Sequence, residues 1–230
     1  MTPTHAPRRG NFGAHRSRTL LVVVVALSLA LALVASARAG NTPDPRLDAV
    51  ATEIAAHPVN VWCETDSAEW ARTVSLVFGP DIDPIYVRGY TFVTNATVNL
   101  APIVCLTLLW ELSGKQGTPP PYLPRGVALL TLIHEAVHQR GVRDEGIADC
   151  IAIKLVPRYA TTLFGIPATV AKWKYVSRSK RVRVNGRLER RRVRVRIRVI
   201  VPNPQHVSVV RDAENARFAS PYYRDCAGIG

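Results

Sequence analysis

The stretch Leu129-Leu130-Thr131-Leu132-Ile133-His134-Glu135-Ala136-Val137-His138-Gln139-Arg140-Gly141-Val142-Arg143-Asp144-Glu145-Gly146-Ile147-Ala148-Asp149 decides how this chain is read. Arg125–Gln139 is expected to be a helix, and Val127–Ile133 is apolar all round, as in a helix buried on every side. Gly141 stops it, and a second helix is expected from Asp144 to Val156, ended by Pro157. His134 and His138, four apart, share one helix face, so both imidazoles can reach one tetrahedral zinc at ~2.0–2.1 Å. Glu135 lies roughly 100° around the helix from His134, beside the ligands, where it can take a proton from a water at that metal. Two histidines and a glutamate inside an apolar helix would be costly to bury without such a role.

A catalytic zinc needs a third protein ligand and one open position. Glu145 and Asp149 are i,i+4 and share a face of the second helix, which returns towards the histidines if Gly141 reverses the chain. Glu145 is then the expected ligand, with Asp149 accepting the spare N–H of a ligand histidine and fixing its tautomer. Asp144 is the alternative ligand.

These residues resemble a family. Glu145-Gly146-Ile147-Ala148-Asp149 has the E-x-x-A-D form that follows H-E-x-x-H in gluzincin zinc metallopeptidases, including the CAAX-type and HtpX-like membrane peptidases. The resemblance covers residues 129–153 and implies His134, His138 and Glu145 as zinc ligands, Glu135 as catalytic base and Asp149 as orienting partner. Those families usually place many more residues between the two motifs. The run His134-Glu135-x-x-His138-x-x-Gly141-x-x-Asp144 is also similar to the metzincin consensus with Asp as third ligand, as in snapalysin-like peptidases. No Met-turn accompanies it, since Met1 is the sole methionine.

Outward from this centre, Arg46–His57 and Ser67–Phe78 have apolar residues at helical spacing, with Ser67 as a candidate N-cap. Tyr86–Val98 reads as one or two strands, and Pro102–Leu112 as a short apolar helix. Tyr90–Val93 or Ala96–Leu100 is a candidate edge strand for pairing with an extended substrate. Gly114–Pro124 is an extended loop, and Arg211–Gly230 carries a final helical segment. The fold class is α+β: a small, mainly helical, zincin-like domain with a short sheet and an inserted basic hairpin over 177–201.

Residues 1–39 read as a leader, with 40–230 as the single folded domain. Arginines 8, 9, 16 and 18 precede the apolar run Leu20–Val34, and Ala37-Arg38-Ala39 offers small residues at a cleavage site before Gly40. Left uncleaved, the same run would act as an anchor. Either way the chain is expected to be secreted or held at the cell surface. Cys63, Cys105, Cys150 and Cys226 are then expected to form two disulfides, with three pairings open.

Net charge is +13, but it is unevenly placed. Residues 172–198 hold 13 of the 30 Lys and Arg against one acid, and the leader holds five Arg. The rest carries 12 basic and 16 acidic residues, which excludes a uniformly basic nucleic-acid binder. From Arg181 to Val201, Arg alternates with Val or Ile, as in a strand with one cationic and one apolar face. Asn185-Gly186 suits a two-residue hairpin, but that register would pair Val184 with Arg187 and Val182 with Glu189. A longer loop over Asn185–Arg192 pairs Val184 with Val193 and Val182 with Val195, and is the expectation here. Arg181, Arg183, Arg192, Arg194, Arg196 and Arg198 then form a polyanion-binding face for anionic envelope polymer, a lipid surface or nucleic acid. No aromatic residue interrupts the Arg run itself.

Together these features imply a peptidase acting on peptide or protein, with Zn2+ as cofactor. The alternative is a non-catalytic exported module that binds metal or polyanions. No feature specifies a preferred substrate side chain.

Overall fold

The structure, a computed structural model, describes residues 44–114, 123–220 and 226. The leader and most of the Gly114–Pro124 loop lie outside the described residues. Among those described, six helices and two sheets make an α+β fold. No described helix is long and apolar enough to cross a membrane.

Helix α1 (Pro45–Ala55) starts at Asp44, whose carboxylate accepts the Arg46 N–H at 2.9 Å, with Pro45 pre-set in the first turn. It buries Leu47, Val50, Ala51, Ile54 and Ala55. Strand β1 (Asn60–Cys63) follows, and Asp48 of α1 accepts the Val61 N–H at 2.7 Å. Helix α2 (Ser67–Phe78) is capped by Asp66, which accepts from Ala68 and Glu69, and not by Ser67. The carboxylate reaches two of the orphan N–H groups at once.

Strands β2 (Gly89–Phe92) and β3 (Thr97–Leu100) form an antiparallel hairpin, and β1 joins β3 in parallel, giving the order β1-β3-β2. β2 is therefore an edge. Helix α3 (Pro102–Leu112) is tied to β1 by the Cys63–Cys105 disulfide. Helix α4 (Arg125–Gln139) runs through the centre, packed by α1, α3, both strands of the hairpin and the two helices that follow. Its Leu129, Leu132, Ile133 and Val137 are fully buried, each burial contributing about 1.5–3 kcal/mol.

Helix α5 (Glu145–Thr162) does not end at Pro157, as expected, but runs five residues past it. Proline removes one backbone hydrogen bond there. Burial of Val156, Tyr159 and Ala160 offsets that loss, and the Pro157 carbonyl accepts from His206 Nε2 at 3.0 Å. The Cys150–Cys226 disulfide holds the C-terminal segment to α5. These two cross-links fit an oxidising environment. The last helix, α6 (Pro204–Phe218), begins earlier than expected, at an Asn203 cap. It crosses α4 so tightly that a Cβ on Gly126 would lie 2.0 Å from the Val209 carbonyl oxygen.

Strands β4 (Thr169–Val184) and β5 (Arg187–Pro202) form the basic hairpin, which starts eight residues before position 177. Its turn is the two-residue one: Asn185 and Gly186 both have positive φ, 48° and 81°. That conformation matches the natural twist of the strands, and it outweighs the preference for an unmixed apolar face. Val184 therefore faces Arg187 and Val182 faces Glu189, while Val193 pairs with Arg178 and Val195 with Val176.

Candidate metal centre

One turn of α4 separates His134 from His138, and their rings meet edge to face with centroids 4.6 Å apart. After Arg140, Gly141 takes φ 96°, a conformation that glycine adopts without penalty, and the chain reverses. Asp144 then caps α5, accepting the Ile147 N–H at 2.9 Å. Capping holds the Asp144 carboxylate at the helix end, and it is not part of the cluster. Glu145, the first residue of α5, is the acid that turns back to the histidines.

His134 Nε2 lies 3.0 Å from Glu145 Oε2 and 2.9 Å from His138 Nε2, and His138 Nε2 lies 3.4 Å from the same oxygen. These three residues are a group that could hold a metal ion. Each ring is fixed from behind. His134 Nδ1 donates to Asp149 Oδ1 at 2.8 Å, and His138 Nδ1 donates to the Val142 carbonyl at 2.6 Å. A carbonyl only accepts, so the His138 proton must sit on Nδ1, leaving Nε2 as a lone pair in the neutral ring. With His134 in the same tautomer, two nitrogen lone pairs and a carboxylate oxygen converge on one point. Such an arrangement requires a positive charge between them.

Burial pulls the His134 pKa down, but its hydrogen bonds to Asp149 and Glu145 outweigh burial and push it up to about 10. The same hydrogen bond from His134 holds Glu145 below the usual carboxylate range, against the opposing effect of burial. The donor set, two imidazoles and one carboxylate, suits zinc, whose tetrahedral bonds of ~2.0–2.1 Å separate ligand atoms by about 3.3 Å. Observed separations of 2.9–3.4 Å are within a few tenths of that.

Glu135 is buried and stands outside the ligand cluster. Burial pushes its carboxyl up to about 7, with His134 opposing and Glu145 reinforcing the shift. A carboxyl near neutrality can both accept and return a proton. Glu135, His138 and Glu145 line one cavity of about 490 Å³, whose far wall is β2 with Phe78, Val142 and Arg143.

Several features of the site carry no sequence motif. A Cβ on Gly89 would lie 3.0 Å from Glu135 Cγ and 3.1 Å from the Asn99 carbonyl oxygen, so any side chain there would push the glutamate or the strand by a few tenths of an ångström. Gln139 donates from Nε2 to Thr91 Oγ1, to the Phe92 carbonyl at 3.1 Å and to the Thr97 carbonyl at 3.0 Å, pinning α4 to the β2–β3 hairpin. Tyr90 stacks on Trp70 and meets Phe78 and Phe92 edge-on, building an aromatic wall beside the cavity. A lone glycine opening a β-rich run was the only signal available for the first of these. Compared with known protein families, with curated proteins and with solved structures, the chain matches none.

Proposed function

We propose that this chain is an exported zinc metallopeptidase of gluzincin type, with His134, His138 and Glu145 as ligands and Glu135 as the base. The observation that carries the reading is the convergence of three ligand atoms, with both imidazoles fixed from behind, next to a buried glutamate. Bound zinc supplies a Lewis acid that polarises a carbonyl and makes water a better nucleophile. Glu135 accepts the proton of the attacking water and returns one to the departing amine. Asp149 and the Val142 carbonyl keep both imidazoles in the ligating tautomer throughout. β2, paired on one side only among the described strands, offers its free edge to the backbone of an extended peptide. Tyr90 and Phe92 on that strand favour substrates with bulky apolar side chains.

Glu135→Gln tests this mechanism. Hydrolysis of a quenched-fluorescence peptide mixture should fall at least ~10²-fold while zinc content is kept. Undiminished hydrolysis would remove Glu135 from the reaction.

A further inference from the structure

The hairpin's 13 cations divide seven to six between its two faces, and the seven are all arginine, whereas the six are three lysines and three arginines. Opposed residues of an antiparallel pair share a face. The register therefore gathers Arg190, Arg192, Arg194, Arg196 and Arg198 of β5 with Arg181 and Arg183 of β4 on one side. At ~3.4 Å per residue the β5 row runs for about 27 Å. All seven are exposed, and Arg181 stands directly opposite Arg190, a destabilising like-charge pair. None of the ion pairs among the described residues involves an arginine of this face. The fold thus holds a repulsive array that an external anion would relieve.

The same face carries the hairpin's most exposed large apolar side chains. Leu188 (65% exposed) sits near the turn, with Trp173 (58%), Tyr175 (66%) and Ile200 (66%) at the base. Arg196 stacks over the Trp173 ring at 4.3 Å. So aromatic residues do share the arginine face although none lies within the Arg run, because they come from the other strand. On the opposite face, Val193, Ile197 and Val199 stand opposite Arg178, Lys174 and Lys172, and all three are half-buried.

We infer that the arginine face of the β4–β5 hairpin docks on an anionic phospholipid surface, its guanidinium groups on the headgroup phosphates and Leu188, Trp173, Tyr175 and Ile200 at the headgroup–acyl boundary. A cationic row that shares its face with exposed apolar groups at the turn and towards the base matches a bilayer surface. A soluble linear polyanion offers nothing to Leu188 or Ile200. Guanidinium pairs with phosphate through two parallel hydrogen bonds, and tryptophan and tyrosine suit the interface because one end is apolar and the other polar.

The test uses the chain from Gly40, which contains every described element, in sedimentation with mixed phosphatidylglycerol–phosphatidylcholine vesicles. Binding should need the anionic lipid and weaken as salt rises. Arg192→Gln with Arg194→Gln and Arg196→Gln should lower partitioning by about a hundred-fold, at roughly five-fold per charge near the surface. Removing as many charges from the other face, by Lys172→Gln, Lys174→Gln and Lys180→Gln, should cost about ten-fold or less. Leu188→Ser with Ile200→Ser should weaken vesicle binding and leave binding to soluble polyphosphate unchanged. Equal losses from the two triple variants would overturn the proposal. So would vesicle binding indifferent to Leu188→Ser and Ile200→Ser, which would assign the face to a soluble polyanion instead.

Discussion

Asp149 Oδ1 sits 2.8 Å from His134 Nδ1, on the side of the ring away from Glu145. One carboxylate thereby fixes the tautomer that turns Nε2 towards the ligand point. Such partners typically govern metal affinity 10–100-fold, so Asp149→Asn should weaken zinc binding by about that factor while the fold is kept. Competition against a chelating dye measures it. Unchanged affinity would leave Asp149 a purely structural residue.

Gly89 and Glu135 give a second prediction. Gly89→Ala puts a methyl 3.0 Å from Glu135 Cγ, tighter than normal contact, so the glutamate must give way by a few tenths of an ångström. Peptide turnover should drop by about ten-fold, because small misplacements of a proton-transfer group are costly. Zinc content should stay at the wild-type level. Loss of zinc together with activity would mean that Gly89 supports the fold of the site as a whole.

Acid should act on the start of α1. The hydrogen bond from the Arg46 side chain holds Asp44 below its ordinary range, against burial and with help from the Arg46 N–H. A carboxyl depressed in the folded state stabilises above its unfolded pKa of about 3.9, and that stability is lost as pH falls through the folded value. Asp44→Ala should therefore cost about 1 kcal/mol near neutral pH, and the gap between variant and wild type should close below about pH 4. Urea unfolding at both pH values checks this. A gap that persists in acid would mean that the carboxylate's charge is irrelevant to the cap.

Much of this was legible in the chain. Pro102–Leu112 and Arg125–Gln139 begin and end as expected, because proline sets their starts and their apolar faces are continuous. The meeting of His134, His138 and Glu145 was also readable, since i,i+4 spacing and a reversing glycine leave few alternatives. Strand β1 was not, since four residues with only Val61 and Cys63 buried give no period to detect. α5 overran Pro157 because core burial beyond it is a tertiary effect. The hairpin register departs from what side-chain alternation predicts because the positive-φ turn at Asn185 and Gly186 decides it. The Val142 carbonyl behind His138 and the Gly89–Glu135 contact depend on backbone positions that no residue pattern encodes.

The most direct test of the central claim is elemental analysis of the chain from Gly40 after dialysis, repeated for Glu145→Ala and Asp144→Ala. About one zinc per wild-type chain, little or none in Glu145→Ala and near wild-type content in Asp144→Ala is the predicted result. A folded wild-type protein that stays empty after zinc is added back would contradict it, leaving the His134–Glu145 and His134–Asp149 pairs as a proton-bridged structural network.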